Sequence, residues 1–208
     1  MNQNSKIKLS FKQKMMLQRE AQIIQTVNGL LATKGYDAMT VDEIADSVGI
    51  AKASLYRHFP SKEALAVAAL VNTMGNGLEQ IKVLNETSLS ALNKLKNIAQ
   101  WVMRLKLNQQ MPNLPSENSM LREHLLTHDS YMDLLVNMSD SIGEWIEQAQ
   151  AERQITTSVT PLCILYTLYA KACDPVLGFL KISGLYDEEQ IIEMVTSTCF
   201  NGIGHREH

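Results

Sequence analysis

The stretch TVDEIADSVGIAKASLYRHFPSK, residues 40–62, decides how the N-terminal part of this 208-residue chain folds. Thr40 and Glu43 lie three residues apart, as the two partners of a capping box do, and predict the start of a short helix. Gly49 ends that helix, and a second helix is predicted over 51–59. Two short helices joined by a glycine turn are typical of a helix-turn-helix.

The second helix of this pair has the composition of a helix that enters the major groove of DNA. Leu55 and Phe59 lie one turn apart on its inner side, and Ile50 is expected to fill the angle between the two helices. Small residues near its start let the backbone approach base edges, while longer polar side chains reach phosphates. The candidate DNA-binding residues on and after this helix are Lys52, Ala53, Ser54, Tyr56, Arg57, His58 and Lys62.

The net charge of −3 conceals an uneven distribution of charge along the chain. Residues 1–62 contain nine lysines and arginines and five acidic residues, a balance of +4, whereas residues 63–208 contain 10 and 17, a balance of −7. DNA attracts cationic surface because bound cations release its counterions. We therefore expect a basic DNA-binding domain over 1–62 and an acidic helical domain over 63–208, joined through the fourth helix.

Part of the positive charge lies in a basic arm at the N-terminus, formed by Lys6, Lys8, Lys12 and Lys14. Such an arm either follows phosphates or a minor groove, or is a solvated terminus that contacts nothing. Both interpretations remain open at this point.

The remainder of the chain predicts an all-α fold of about nine helices. With 10 Gly and 5 Pro the sequence has little material for turns, and no alternating segment predicts a strand pair. The other helices are predicted over 14–34, 61–84, 88–107, 117–126, 130–153, 162–182 and 187–202. Asp174 and Pro175 predict either a kink in the next-to-last helix or its division into two.

Several kinds of site find no support in the sequence. Cys163, Cys173 and Cys199 are an odd number at spacings that match no paired zinc motif, so neither disulfides nor a structural metal is expected. His124 and His128 have the spacing of a helical metal-binding pair but lack a third ligand. No catalytic motif or cofactor fingerprint is present, and we expect neither a cofactor nor an enzyme.

The hydropathy pattern predicts a soluble, cytoplasmic protein with no membrane partner. No stretch reaches 18 consecutive apolar residues, and the N-terminal residues lack the apolar segment of a signal peptide. The odd cysteine count also fits a reducing compartment.

Residues 20–70 resemble the TetR family of bacterial transcriptional regulators. The resemblance rests on Ile23, Ile24, Leu30, Leu31, Gly35, Tyr36, Thr40, Val41, Ile44, Ala45, Val48, Gly49, Ile50 and the run from Ser54 to Leu65. It implies an all-helical homodimer with an N-terminal three-helix DNA-binding domain and a C-terminal domain for ligand binding and dimerisation. It further implies repression at a palindromic operator of double-stranded DNA until a small molecule lowers the affinity for that DNA.

The resemblance also implies roles for individual residues. The residues implied to contact phosphates are Thr40, Tyr56, His58 and Lys62, and those implied to face bases are Lys52, Ala53 and Ser54. Many relatives carry a hydroxyl residue that caps the recognition helix at the position where this chain has Ala51. That contact is therefore not expected here.

The C-terminal part carries side chains suited to an apolar or aromatic effector. Methionine and aromatic residues adapt to the shape of such a ligand, although each is equally suited to a protein core. The candidate ligand-binding residues are Trp101, Met103, Met120, Met138, Trp145, Tyr166 and Tyr169.

The last two predicted helices are candidates for a dimer interface. The first of them is almost uncharged, and Ile191, Ile192 and Val195 lie close together on the other. In relatives such a pair forms a four-helix bundle across a twofold axis. The alternative is that these apolar residues belong to an internal core.

These features predict a regulator in which a ligand moves the fourth helix and thereby the two DNA-reading heads. Gly75 and Gly77 lie where that helix enters the body, and either let it bend or allow close packing. An activator with the same fold is one alternative. Another is a helical ligand-binding or protein-interaction module whose helix-turn-helix is vestigial.

Overall fold

The computed structural model describes residues 10–113 and 119–203, and within those ranges the chain is all-α. The helices are α1 (Phe11–Thr33), α2 (Gly35–Ala38), α3 (Val41–Val48), α4 (Lys52–His58), α5 (Lys62–Asn85), α6 (Ala91–Leu107), α7 (Met120–Leu126), α8 (Asp129–Ala151), α9 (Pro161–Tyr169), α10 (Pro175–Ser183) and α11 (Glu188–Asn201). A short 3₁₀ helix, Ala170–Cys173, follows α9. Lys6 and Lys8 of the predicted basic arm and Glu117 lie outside the described residues, whereas Lys12 and Lys14, predicted as part of that arm, lie within α1.

Local capping signals begin most of these helices where the sequence predicts them. Ser10 and Asp187 each form a complete capping box, with Gln13 and Gln190 respectively. The hydroxyl of Ser61 accepts the backbone N–H of Ala64 at 3.1 Å and caps α5. Such bonds satisfy N–H groups that have no partner within the helix, so the residue that supplies them fixes where the helix starts.

The capping box predicted at Thr40 is only half formed. The Thr40 hydroxyl accepts the backbone N–H of Glu43 at 3.2 Å, as predicted. The Glu43 carboxylate, however, does not reach back to Thr40 and instead pairs with the Lys34 ammonium. A cation from the preceding segment outcompetes a neutral backbone donor for this carboxylate, since charge-assisted bonds are the stronger ones.

The described residues contain more helical segments than the predicted nine, for two reasons. A single helical turn, α2, lies between α1 and α3. In addition, the stretch predicted as one helix over 162–182 is divided at Asp174, whose carboxylate caps α10 through the backbone N–H of Val176 at 3.0 Å. Pro175 has no N–H to donate to the preceding turn, and the chain therefore starts a new helix there. Division, and not a kink, is the outcome at this position.

A first hydrophobic cluster joins α1, α3, α4, the N-terminal half of α5 and α7. Ile23 of α1, Leu55 of α4 and Leu65 of α5 are fully buried in it. Leu121 and Leu125 of α7 belong to the same cluster, although α7 lies more than fifty residues further along the chain. The cluster continues along α5 to Leu70, past the domain boundary predicted at residue 62.

A second hydrophobic cluster joins the C-terminal half of α5 with α6, α8, α9, α10 and α11. Ile81 of α5 and Ile146 of α8 are buried at its centre. Ile191, Ile192 and Val195 of α11 are buried in it as well. This contradicts their prediction as interface residues, because their side chains are already covered within the same chain.

Helix α5 runs without interruption through Gly75 and Gly77. Gly75 faces open space, whereas a Cβ atom at Gly77 would lie 3.0 Å from Cε and 3.4 Å from Sδ of Met138, and 3.9 Å from Cζ3 of Trp101. Of the two roles considered for these glycines, close packing is therefore the one that fits Gly77.

The two glycines give a matched pair of stability measurements. We expect Gly75→Ala to stabilise the protein by about 0.5–1 kcal/mol, because alanine restricts the unfolded chain and favours the helix. Gly77→Ala should stabilise the protein less than Gly75→Ala, because the new methyl group would push the Met138 side chain aside. Urea unfolding of both variants measures the difference. Equal gains would show that Met138 moves at no cost.

Candidate DNA-binding face and ligand cavity

The turn between α3 and α4 fixes the angle at which α4 is presented. Gly49 has a positive φ of 72°, which glycine adopts without strain, and its N–H reaches the Asp46 carbonyl at 3.1 Å. The Ile50 N–H donates to the Ala45 carbonyl at 3.0 Å, and the Ile50 side chain packs against the first cluster, as predicted. Leu55 is fully buried beneath α4. Truncating such a side chain to alanine costs roughly 2–5 kcal/mol, which measures how firmly α4 is held.

At the start of α4, Lys52 is held by an acidic residue of α3. Its ammonium lies 2.9 Å and 3.0 Å from the two carboxylate oxygens of Asp42, and this hydrogen bonding raises the pKa of Lys52 above its ordinary value. Ala51, the residue before the helix, makes no side-chain cap, in agreement with its lack of a hydroxyl. Lys52 is the first of the three residues implied to face bases, before Ala53 and Ser54. Its position is set by the neighbouring Asp42 carboxylate.

Further along α4, three consecutive side chains differ in their exposure and in the partners that hold them. Tyr56 is 41% exposed, although it is a large apolar residue. The Arg57 guanidinium donates from Nη2 to the Ser54 hydroxyl at 3.1 Å, which aligns both side chains along the outer face of the helix. His58 differs, since its side chain is only 15% exposed and its Nδ1 lies 3.2 Å from Oε1 of Glu20 on α1. The Nδ1 edge of the His58 ring is therefore turned toward α1.

A connected group of three side chains holds Lys62, the first residue of α5. The Tyr36 hydroxyl donates to Oε1 of Glu63 at 2.6 Å, and the Lys62 ammonium lies 4.4 Å from the centroid of the Tyr36 ring. Burial and this hydrogen bond raise the pKa of Tyr36 far above its ordinary value, and the same bond lowers the pKa of Glu63. The Lys62 ammonium is thus placed over an aromatic ring beside α4, in the geometry of a cation–π contact.

Together these side chains form one polar face. Thr40, whose hydroxyl oxygen caps α3, is exposed at its edge. Acidic residues close to it are paired with partners on other segments: Glu20 with His58, Asp42 with Lys52, Glu43 with Lys34 and Glu63 with Tyr36. Arg57 has no acidic partner among residues 10–113 and 119–203. The face can therefore attract phosphates in spite of the acidic residues around it.

The second feature is an apolar cavity in the body, beneath the C-terminal half of α5. Its volume is about 150 Å³. The residues that line it are Met74, Ile98, Ala99, Trp101, Val102, Met111, Tyr131, Leu135, Met138, Ile142, Leu168, Tyr169 and Ala172. Three of the seven residues predicted for ligand binding, Trp101, Met138 and Tyr169, meet at this cavity. The Tyr169 hydroxyl is within 2.8 Å of the Ser139 hydroxyl, and burial raises the pKa of Tyr169.

The other four predicted ligand-binding residues lie elsewhere, and we revise the set accordingly. Met103 is fully buried in the second cluster, where its sulfur lies 4.0 Å from the Thr196 hydroxyl. Trp145 is also buried there, and its indole N–H donates to Oδ1 of Asn85 at 2.8 Å. Met120, at the start of α7, is 71% exposed, and Tyr166, on α9, is 64% exposed. Neither of these exposed side chains lines the cavity.

Tyr131 and Met74 line the cavity, although neither is among the residues that the sequence predicts for ligand binding. Leu135, Met138 and Ile142 follow the apolar period of α8, and the sequence predicts them to be buried. Periodicity does not distinguish a side chain that lines a cavity from one that fills a core. Tyr131 stands at the start of α8, near the N-cap His128, whose Nδ1 accepts its backbone N–H at 3.4 Å. Within the described ranges, no three potential metal ligands come together.

The family comparison concerns the N-terminal part of the chain. The model of a family described as bacterial regulatory proteins, tetR family, matches residues 23–69. The chain is also similar to YerO, an uncharacterized HTH-type transcriptional regulator of Bacillus subtilis, at 39% identity over 71 residues, which are 34% of this chain and 25% of YerO. The matched region spans between 25% and 35% of the length of the first curated relatives.

Solved structures resemble the chain over nearly its whole length. FadR of Bacillus subtilis, a transcriptional regulator solved in complex with stearoyl-CoA, has a TM-score of 0.68 and 19% identity, covering 88% of this chain and 99% of FadR. AibR, solved with isovaleryl coenzyme A and operator DNA, has a TM-score of 0.63 and 20% identity, covering 88% of this chain and 98% of AibR. Identities this low establish a shared fold and nothing about the ligand.

The Tyr36–Glu63 bond predicts a pH-dependent loss of stability. Because the pKa of Glu63 is lower in the folded chain, the unfolded chain binds a proton more readily, and the stabilisation is complete above the ordinary Glu pKa of 4.5. It is lost as the pH falls through the lowered, folded-state pKa. We expect Tyr36→Phe to reduce the free energy of unfolding at pH 7 by at most about 1 kcal/mol, since the carboxylate is partly solvated.

Denaturant unfolding at several pH values tests this expectation. The difference between Tyr36→Phe and the parent protein should shrink as the solution becomes acidic. Tyr186→Phe is a matched control, because the side chain of Tyr186 is exposed and makes no hydrogen bond to another described residue. A Tyr36→Phe difference that stays constant down to acid pH would exclude Glu63 as its origin.

Proposed function

Because residues 23–69 match the model of the tetR family of bacterial regulatory proteins, we propose that the chain is a member of that family and a cytoplasmic, homodimeric transcriptional repressor that a small molecule releases from operator DNA. The observation that carries this proposal is the outer face of α4. There Lys52, Tyr56 and Arg57 are exposed on a helix whose opposite side is anchored by Leu55. A helix held in this way can enter the major groove without moving relative to its domain.

The DNA contacts divide into two kinds by position. Ala53 and Ser54 are small and lie near the start of α4, where they allow base edges to approach the backbone. Thr40, Tyr56, Arg57 and Lys62 surround that part of the helix and suit phosphates, because they bear hydroxyl or cationic groups. His58 has less free surface than the others, and its Nδ1 is engaged by Glu20. Its phosphate contact, if made, uses Nε2.

The homodimer is proposed on the apolar surface of α9 and α10. Large apolar side chains that belong to no core are exposed along this surface: Leu162, Tyr166, Val176, Phe179, Ile182 and Leu185. Exposed large apolar side chains in such number on neighbouring parts of the chain are typical of an interaction site. Its residues 161–183 are long and apolar enough for a membrane span, with a mean hydropathy of 1.3. The break at Asp174 leaves two helices too short to cross a bilayer, which favours a second copy of the chain as the partner.

The proposed response to a ligand begins at the apolar cavity lined by Trp101 and Met138. Tyr131 lines the cavity and also packs against the first cluster, which contains the core of the DNA-binding helices. Gly77 brings α5 against Met138 on the cavity wall, and α5 continues without a break to Lys62. A ligand that displaces these side chains shifts the DNA-binding helices of each subunit and so changes the distance between the two heads. Two heads must be about one helical turn of DNA apart to bind both half-sites.

Mutation of the α4 face tests DNA binding. We expect the double variant Tyr56→Ala/Lys62→Ala to bind DNA from the region upstream of its own gene at least about 10-fold more weakly. Its dependence of affinity on salt should also become less steep, because fewer phosphates are neutralised. Fluorescence anisotropy at several salt concentrations measures both quantities. Lys82→Ala is the matched control, since Lys82 is a charged residue near the opposite end of α5.

Two results would contradict this assignment in different ways. An unchanged affinity and salt dependence in the double variant would mean that DNA uses another face. A parent protein that binds no DNA in a salt-sensitive, sequence-specific manner would instead favour the alternative of a vestigial helix-turn-helix in a ligand-binding or protein-interaction module.

The dimer surface gives an independent prediction. Phe179, which is 71% exposed in the single chain, should be buried in the dimer, and Phe179→Asp should therefore yield monomers at micromolar concentration. Monomers engage only one half-site, so the affinity for the operator should fall as well. Val83→Asp introduces the same charge at an exposed apolar residue of α5 and should remain dimeric. Sedimentation velocity measures the oligomeric state of the parent protein and of both variants. A monomeric parent protein would refute the proposed interface.

A further inference from the structure

We infer that the effector is an uncharged molecule that buries one apolar group, of about the size of a single ring, in the cavity beside Trp101. This inference rests on the proposed function, in which ligand binding to this cavity controls DNA binding. It adds the chemical class of the ligand, which follows from the walls of the cavity, its volume and the surface next to it.

The walls of the cavity exclude a charged group. They consist almost entirely of carbon and sulfur atoms, and none of the lining residues is a lysine, arginine, histidine, aspartate or glutamate. Of the two tyrosines in the lining, Tyr169 already pairs with Ser139. A buried charge without a partner is far less stable than the same charge in water, so a carboxylate or phosphate is not accepted here.

The volume of the cavity limits the size of the buried group. An apolar cavity of about 150 Å³ holds one benzene molecule. The cavity in this chain has the same volume, and its aromatic walls, Trp101, Tyr131 and Tyr169, suit stacking or edge contacts with a ring. Met74, Met111 and Met138 can change rotamer to follow the outline of the ligand.

The surface next to the cavity is polar but also uncharged. Trp101 forms a wall of the cavity on one side and of an open groove of about 500 Å³ on the other. Amide side chains dominate the polar lining of this groove: Gln25, Asn28, Asn72, Asn76, Gln109 and Gln110. Among residues 10–113 and 119–203, no charged residue lines the groove. A part of the ligand that leaves the cavity past Trp101 thus meets hydrogen-bonding groups that suit hydroxyls and amides, not cations that would bind phosphates.

The uncharged lining of the cavity and groove does not suit the ligands that were solved with two structural neighbours of this chain. FadR and AibR were solved with coenzyme A thioesters, whose large and highly charged part needs cationic partners. Neither the cavity nor the adjoining groove of this chain offers such a partner. The shared fold therefore does not carry the ligand class with it.

The contact between Met138 and Gly77 explains how a small ligand can have an effect. Cε of Met138 lies so close to α5 that a Cβ atom at Gly77 would be only 3.0 Å from it. A ring in the cavity that shifts the Met138 side chain changes the contact between that side chain and α5. Because α5 is close-packed at this point, even a small ligand displaces the helix that leads to Lys62.

The experiment compares three probes by isothermal titration calorimetry on the full-length protein. Benzyl alcohol is an uncharged ring, benzoate is a charged ring of nearly the same size, and isovaleryl coenzyme A is a small acyl group on a highly charged carrier. We expect benzyl alcohol to bind at least about 30-fold more tightly than benzoate, and isovaleryl coenzyme A to bind no better than benzoate.

Two variants of the 3₁₀ helix locate the binding. Ala172→Leu fills the cavity and should abolish binding of benzyl alcohol, because Ala172 lines it. Ala170→Leu makes the same change at an exposed residue of the same helix, which does not line the cavity, and should leave binding unchanged. Circular dichroism and the DNA affinity of both variants report whether they fold.

The possible outcomes separate this inference from the proposed function. If benzoate or isovaleryl coenzyme A binds as tightly as benzyl alcohol, or benzyl alcohol binds to neither the parent protein nor Ala170→Leu, the ligand class is wrong, although operator binding by the same protein leaves the proposed function intact. Binding of benzyl alcohol that survives Ala172→Leu would likewise overturn the assignment to this cavity. If benzyl alcohol binds as expected but the protein binds no DNA, the proposed function fails and the cavity assignment remains.

Discussion

Helix α5 connects the two halves of the molecule because it is buried in both hydrophobic clusters. Leu65 and Leu70 contribute to the cluster beneath the DNA-binding helices, whereas Ile81 and Leu84 contribute to the cluster of the body. An unbroken helix of 24 residues moves as a rigid element, since its packed side chains leave no room for local adjustment. The position of Lys62 at its N-terminus thus depends on what the C-terminal half contacts.

Helix α7 and Tyr131 provide a second connection of the same physical kind. Leu121 and Leu125 lie far from the N-terminal helices in sequence but share their core. Tyr131, a few residues later, touches both that core and the cavity. The cavity wall and the core of the N-terminal helices are therefore connected by packing, through α5 and through the α7–α8 corner.

The DNA-binding face shows how an acidic protein can still present a cationic surface. The acidic residues next to the face are engaged: Asp42 positions Lys52, Glu20 holds His58, and Glu63 accepts the hydroxyl of the tyrosine over which Lys62 lies. These pairs lower the repulsion of phosphates and also fix the directions of the cationic side chains. The net charge of −3 describes the whole chain and says little about this surface.

The sequence by itself determined the features that depend on residues within one or two turns of each other. The caps at Ser10, Ser61 and Asp187 and the turn at Gly49 are local, so their residue types suffice to predict them. Tertiary structure alone decided which apolar residues line a cavity, fill a core or stay exposed. Helical periodicity identifies an apolar side chain but not what it faces, and so Met103 and Met138 look equivalent in sequence although one is in the core and the other at the cavity. The pairing of His58 with Glu20, 38 residues apart, was hidden for the same reason: only the packing of α1 against the DNA-binding helices brings the two together.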